Sequence, residues 1–424
     1  MSKKDIFWNI AGSVIFALSS MLFTVATNRL MGNTIGGVFF FGMSTLGQQL
    51  LNISYLGMRP LQITDVKKTY LFGEYVFLRI IGCLISLGFG LIFLAFRQYQ
   101  PIDFWVICLT MTYKIFDGFA DVYECEFQRK GFLFLTGQSN AFRTLFAISI
   151  YLIVLWTSKN ILLACVCLNV AAIVSIWLFN VLPLRQISLS EENKENRLKK
   201  ENLESDENHD LQLIQSREKF DLAYCIKIFK QSFSLFAGGF LEIYLFSASR
   251  YAVEIQAEKA LYGDYATLFM PTSVINLVTA FLVRPYISVF AQYWKDGQKR
   301  EFQRSVLRLC MIIFSCGILA ILLSVTLGVQ VLGWIYHKNL NQYILVLLWI
   351  ILGGIVNAFN TIFYYALVAR EKQRNILIVY LLVFLFSLVL CPFGVQFYGL
   401  VGAAFSHFLL MFILCITFLI LIFC

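Results

Sequence analysis

The sequence predicts an all-α integral membrane protein of about twelve transmembrane helices, arranged as two six-helix lobes related by internal duplication. Three observations carry that expectation. Hydrophobic residues make up 59% of the 424 and charged residues only 14%, against about half and a quarter in soluble domains. Twelve apolar runs reach the roughly 20 residues that a helix needs to cross a bilayer. Short segments of the first half also recur, in order, in the second.

The spans fall at roughly 6–31, 36–58, 74–96, 104–126, 133–156, 160–183, 224–250, 264–288, 306–332, 342–368, 374–396 and 399–423. The first apolar run begins after Met1-Ser-Lys-Lys-Asp5, continues to about Leu30 and lacks an Ala-x-Ala pattern, so it reads as a retained helix and not as a cleaved leader. Only 6 prolines interrupt the chain, which leaves most helices unbroken. Between the sixth and seventh spans lies a polar stretch, Arg185 to Asp221, rich in Glu, Lys and Asn. It reads as a solvated linker. The chain thus divides into an N-terminal six-helix lobe (1–184), a charged linker (185–221) and a C-terminal six-helix lobe (222–424). Of the 34 Lys and Arg, 25 fall on the side of the N-terminus and six on the other, with three inside spans. Cytoplasmic loops are the Lys/Arg-rich ones, so both termini and the linker are expected in the cytoplasm. The same rule covers the net charge of +9 without nucleic acid as a partner.

Three shifts relate the halves. Arg59-Pro60 falls on Arg284-Pro285, Thr27-Asn28-Arg29 on Ala248-Ser249-Arg250, and the segment 116–123 on 356–363, where Asn357 and Asn360 stand among the matched residues. Both halves begin on the same side, so the repeats are parallel. Paired lobes of this kind suit alternating access to a cavity between them.

The most informative stretch is Tyr113 to Gly131. At about 100° per residue, Lys114, Asp117, Asp121, Glu124 and Gln128 share one side of a helix in an otherwise apolar setting. Insertion scales put a charge near the bilayer centre at about 2.5 kcal/mol or more, so such groups face a bundle interior or a wet cavity. The stripe therefore predicts a lumen filled by water or substrate. Lys114 either serves that lumen or neutralises Asp117 one turn away. Asp117, Asp121 and Glu124 outnumber it, which makes them candidates for proton coupling by desolvation and crowding. Glu242 is the acid expected to be buried in the second lobe, either for coupling or for a bond within the bundle.

Further cations lie within or at the rims of spans: Arg29, Arg79, Arg143, Arg250 and Arg284, with Arg59 in the loop after the second span. Arginine presents a planar fork suited to phosphate, so a lumen carrying several favours an anionic, phosphate-bearing substrate. Arg29, Arg250 and Arg284 equally suit headgroups reached from span ends. Gln48, Gln49, Asn52 and Asn276 would suit sugars or interhelical bonds. The scattered cysteines read as small buried hydrophobes, and with 3 His in all no metal cluster or catalytic residue is indicated. No Walker motif or nucleophile elbow occurs. No cofactor is expected, and the chain does not read as an enzyme.

Gly57-Met-Arg-Pro-Leu-Gln-Ile-Thr-Asp65, Tyr70-Leu-Phe-Gly-Glu-Tyr75 with Leu78-Arg79, and Lys114-Ile-Phe-Asp-Gly-Phe-Ala-Asp121 running to Phe127-Gln-Arg-Lys-Gly131 and Arg143 resemble segments of Wzx-type polysaccharide flippases. These belong to the multidrug/oligosaccharidyl-lipid/polysaccharide exporter (MOP) superfamily. The resemblance covers the whole chain in layout and residues 57 to 143 in motif. It implies flipping of undecaprenyl-diphosphate-linked oligosaccharide repeat units from the inner to the outer leaflet of a bacterial cytoplasmic membrane, for capsule, exopolysaccharide or O-antigen assembly. Membrane lipids, a polysaccharide polymerase and other assembly proteins are the implied partners. By the same resemblance Arg59, Arg79 and Arg143 lie at motif positions near the cytoplasmic entrance. Two rivals stand beside it. One is a multidrug exporter of the same superfamily, binding an organic cation through Asp117, Asp121 and Glu242. The other is a membrane polysaccharide polymerase or ligase, which the short outer loops disfavour.

Overall fold

The computed structural model describes residues 3–65, 69–190 and 220–423. Among these, every regular element is helical. The helices are α1 (Lys3–Met31), α2 (Asn33–Phe40), α3 (Gly47–Tyr55), α4 (Arg59–Thr64), α5 (Phe72–Arg97), α6 (Pro101–Arg129), α7 (Leu133–Ser158) and α8 (Ile161–Ile176) in the first half. The second half holds α9 (Leu222–Gln256), α10 (Lys259–Lys295), α11 (Lys299–Leu323), α12 (Val329–Tyr336), α13 (Ile344–Ala369) and α14 (Gln373–Phe423).

Nine of the described helical stretches are long and apolar enough to cross a membrane. Two more have the length but a heavier polar load. One is α2 and α3, joined by a π-turn at Phe41–Leu46; the other is α6, with seven charged residues in its 29. The last stretch, α14, breaks at Gly399, whose φ of 55° and ψ of −135° lie outside helical space. Counted this way the described residues hold twelve membrane-length helices, as the sequence predicts.

At the predicted linker, α8 continues through a π-turn (Trp177–Val181) as one apolar helix over Ile161–Ser190. It runs six residues past the expected end of the lobe, since leaving the bilayer does not oblige a helix to stop. Residues 191–219 of that linker lie outside the described residues.

By contact, the chain forms two compact units that interleave along the sequence: Met1–Ser19, Leu50–Gln98 and Met111–Phe236, and Ser20–Gln49, Tyr99–Thr110 and Ala237–Cys424. The six-span lobes of the sequence reading are defined by hydropathy, and these units by contact. The first unit has a buried knot of Leu56, Met58, Tyr70, Tyr75, Leu78, Val122, Cys225 and Ile228. In the second, α13 packs on α14, α10 and α11, and α2 packs on α10. Apolar side chains such as Leu84, Phe96, Trp156 and Trp334 remain exposed, as lipid-facing surfaces require.

Candidate functional site

The polar stripe of α6 lies in the first unit and is closed by arginines from three other helices. Arg143 of α7 reaches Asp117 with Nη1 and donates Nη2 to Glu124 Oε1 at 3.1 Å. Asp117 and Glu124 are seven residues apart, two turns on one face, so a single guanidinium fork spans both. Asp121, between them, accepts from Arg79 Nη2 of α5 at 3.0 Å and from Arg59 at the start of α4. Arg79 also donates to the Ser54 carbonyl at 3.4 Å. Lys114 pairs with Asp117 at 3.5 Å and lies 5.0 Å from the centre of the Phe16 ring.

A fourth arginine, Arg129, repeats the pattern at the end of α6. It donates to Glu126 at 2.8 Å and to Asp65 at 3.3 Å. Asp65 in turn accepts the backbone amides of Thr69 and Tyr70 at 2.8 and 3.0 Å, and Gln62 donates to the Val122 carbonyl at 3.0 Å. Sequence reading missed this third cluster, because it took Arg129 as a loop charge. The spacing of Glu126 and Arg129, three apart, was the available signal.

These contacts alter the lumen expectation. Lys114, Asp117, Asp121, Glu124, Arg79 and Arg143 are each buried, so within this unit the stripe is a packed ion network and not an open wall. Five cations (Arg59, Arg79, Lys114, Arg129, Arg143) meet five acids (Asp65, Asp117, Asp121, Glu124, Glu126). The apparent excess of acid on α6 disappears once α4, α5 and α7 are folded against it. Arg59 is the exception to burial: its side chain keeps 40% of its surface exposed, and Asp121 is its one ionic partner among the described residues.

The motif residues explain this geometry. Leu56 and Gly57 adopt positive φ (46° and 66°), which turns the chain sharply after α3. A Cβ on Gly57 would stand 2.6 Å from the Ser232 carbonyl and the Phe236 amide of α9, so glycine alone fits. Pro60 then sits in the first turn of α4, where its missing N–H costs nothing, and Arg59 is aimed at Asp121. Glu74 closes the N-terminus of α5 by accepting the Leu71 amide at 3.1 Å.

The second unit holds the remaining candidates. Arg250 is buried, donates to the Ser44 carbonyl at 3.1 Å and the Ser247 hydroxyl at 2.6 Å, and lies 4.8 Å from the Phe269 ring centre. No carboxylate pairs with it among the described residues, and its Nε has no partner. His407 packs edge-on to the same ring at 4.8 Å with neither nitrogen bonded. Arg29 is exposed and donates to the Trp334 carbonyl at 3.2 Å and to that of Ile335 at 2.6 Å. The side chain of Arg284 lies outside the described residues.

Glu242 lies deep among protein atoms, yet the residue keeps accessible surface, and no hydrogen bond or ion pair engages it among the described residues. It borders a cavity with room for about one water, lined also by Asn357, Asn360, Thr361 and Tyr380. Gln49, by contrast, is buried and bonds the Phe240 carbonyl at 2.9 Å, and Asn276 accepts from Asn357 at 3.3 Å. Both therefore act as interhelical links.

One further polar cluster went unread. Lys338, in the loop after α12, reaches Asn33, Thr267 Oγ1 at 3.1 Å and Asp264 at 3.5 Å. Asn33 donates to Asp264 at 2.7 Å. Nearby in sequence, Lys259 pairs with Asp103, and the Tyr99 hydroxyl donates to Glu254 at 2.5 Å. Burial pushes the Lys338 ammonium down to about 8, against the pull of Asp264. Its signal was the acids Asp103 and Asp264 at span starts, opposite lysines that hydropathy assigns to loops.

No protein-family model and no curated protein matches the sequence. Solved structures do. A multidrug resistance MATE family transporter of the MOP superfamily, in an inward-facing conformation, is 11% identical over 98% of both chains with a TM-score of 0.64. The Vibrio cholerae MATE transporter VcmN is 13% identical over 99% of this chain and 96% of its own, with a TM-score of 0.62. The chain has the fold of these transporters. A MOP superfamily transporter from Pyrococcus furiosus, whose reversed binding-pocket polarity suggests a different function, is 11% identical over 99% of this chain and 93% of its own, with a TM-score of 0.58.

Proposed function

We propose that this chain is a flippase for diphosphate-linked oligosaccharide lipids, carrying repeat units from the cytoplasmic to the outer leaflet of a bacterial cytoplasmic membrane by alternating access. The observation that carries the reading is the division of charge. Every acid of the α6 stripe is already held by an arginine or lysine and is closed to an organic cation. Arg59, half exposed, and Arg250, without a carboxylate, keep donors free for an anion. The resemblance of residues 57 to 143 to polysaccharide flippases supports the same class, and the Pyrococcus furiosus relative shows that pocket polarity varies within the fold. The lipid tail would stay in the bilayer while the charged head passes. The Lys338 cluster would hold the extracytoplasmic end shut until substrate binding offsets its bonds.

In this reading Arg79, Lys114 and Arg143 brace the scaffold, while Arg59 in the first unit and Arg250 in the second each offer a donor to the diphosphate at separate points. Both termini face the cytoplasm, and a polymerase takes up the product outside. The experiment is the leaflet distribution of undecaprenyl-diphosphate-linked oligosaccharide, read with an impermeant glycan label on intact spheroplasts. Deletion should trap the lipid on the cytoplasmic side. The wild-type chain should restore it, and a chain with Arg59→Gln and Arg250→Gln at equal abundance should not. An unchanged distribution in a strain with no other flippase would overturn the reading.

One observation favours a second reading, export of organic cations. Glu242 borders a small cavity beside Tyr380 with no hydrogen-bond or ion-pair partner among the described residues. Drug efflux abolished by Glu242→Gln, with surface polysaccharide untouched, would select it.

A further inference from the structure

A groove in the second unit, unrelated to the charged residues above, is built for a lipid chain. Its walls are Phe302, Val306, Leu307 and Cys310 of α11, Phe359 and Phe363 of α13, and Cys415, Leu419 and Ile422 of α14, with Gln303 the one polar member. Its cavity volume is about 390 Å³. From Phe302 to Cys310 the helix rises about 12 Å, close to the roughly 15 Å depth of one leaflet's hydrocarbon. The groove thus matches one acyl chain in length. A polyprenyl carrier tail is several times longer.

The mouth of the groove is cationic. Arg300 lies three residues before Gln303 and seven before Leu307, so it continues the lining stripe one turn further out. Arg304 is adjacent to Gln303 and, like Arg300, exposed; it pairs with Glu301 at 2.6 Å, so an anion at this rim competes with that carboxylate. At the far wall, Lys372 donates to the Leu421 carbonyl at 2.9 Å, and Arg370 bonds the Ile422 carbonyl. These two are thereby fixed beside the lining residue Ile422. Between Lys295 and Arg308 and between Arg370 and Arg374 stand eight Lys or Arg against three acids, Asp296, Glu301 and Glu371. An apolar slot one leaflet deep under a net positive rim is complementary to a lipid with an acyl chain and a single anionic headgroup.

We infer that this groove binds an anionic glycerophospholipid, with one acyl chain along α11 and its phosphate at Arg300, Arg304 and Lys372. Bound there, the lipid wedges α11 against α13 and α14 and makes the packing of the second unit depend on the leaflet's anionic content. The site does not depend on what the protein transports.

The test uses the full chain purified in nanodiscs, with phosphatidylglycerol carrying a diazirine in its acyl chain, and crosslinked peptides mapped by mass spectrometry. Crosslinks are expected on 302–310, 359–363 and 415–422. Phosphatidylcholine with the same chains should label these peptides far less. Arg300→Gln with Arg304→Gln, two exposed positions that leave the fold intact, should weaken phosphatidylglycerol labelling by about tenfold. Equal labelling by both lipids, or labelling indifferent to the two substitutions, overturns the inference. So does displacement of the probe by a polyprenyl phosphate and not by unlabelled phosphatidylglycerol, which would give the groove to a carrier tail.

Discussion

Arg143 illustrates how much depends on single side chains in a low-dielectric interior. Its fork holds two carboxylates, Asp117 and Glu124, in a place from which water is excluded. Removing one partner of a buried pair costs about 3–5 kcal/mol, because the other charge stays behind. Arg143→Ala should therefore lower the thermal midpoint in detergent sharply, and adding Asp117→Asn and Glu124→Gln should recover much of the loss. Failure of the triple variant to recover would show that Arg143 does more than neutralise these acids. Lys338 carries a pH signature. Its folded pKa of about 8 lies below the ordinary lysine value of 10.5, with burial as the main cause. Between those values the folded chain binds fewer protons than the unfolded one, so stability rises with pH across that window. Wild type should gain thermal stability from about pH 8 to pH 10 relative to Lys338→Met. Parallel profiles would show that the ammonium is not buried as described.

Among the elements, α6 is the one that the first unit is built around. Its acids were legible from sequence as a stripe, and so was the Lys114–Asp117 pair. Their partners were not legible as partners, because Arg59, Arg79 and Arg143 reach the stripe across gaps of 62, 42 and 26 residues. The turn between α3 and α4 is the second decisive element, since it aims Arg59. Gly57→Ala puts a side chain at a φ of 66° and against the backbone of α9. The expected loss is more than about 1 kcal/mol, together with a greater exposure of Asp121. A variant with wild-type midpoint in thermal melts would mean that the turn relaxes without strain. Similarly, Gly399 supplies the non-helical backbone that divides α14 into the two spans expected at 374–396 and 399–423.

For the whole molecule, the fold of MATE transporters at 11 to 13% identity shows that architecture survives where residues do not. That is why the polarity of particular side chains, and not the fold, bears on substrate. The loop charges predict an orientation in the membrane, and that expectation has a direct check. A Ser205→Cys reporter should be modified by an impermeant maleimide only after the membrane is opened. Labelling of intact cells would reverse the topology and, with it, the direction of the proposed transport.

What the sequence determined alone is the part governed by local chemistry. Apolar runs of bilayer length specify helices in lipid, loop lysines and arginines bias orientation, and charge at helical spacing marks one face of α6. Tertiary structure decided how those charges are spent. It converted an apparent acid excess into a balanced network, left Glu242 beside a small cavity, left Arg250 with no carboxylate partner among the described residues and joined Lys338 to Asn33. Each of those outcomes depends on side chains far apart in sequence meeting where water is scarce. Electrostatic energy there is set by distance and burial, neither of which a one-dimensional pattern contains.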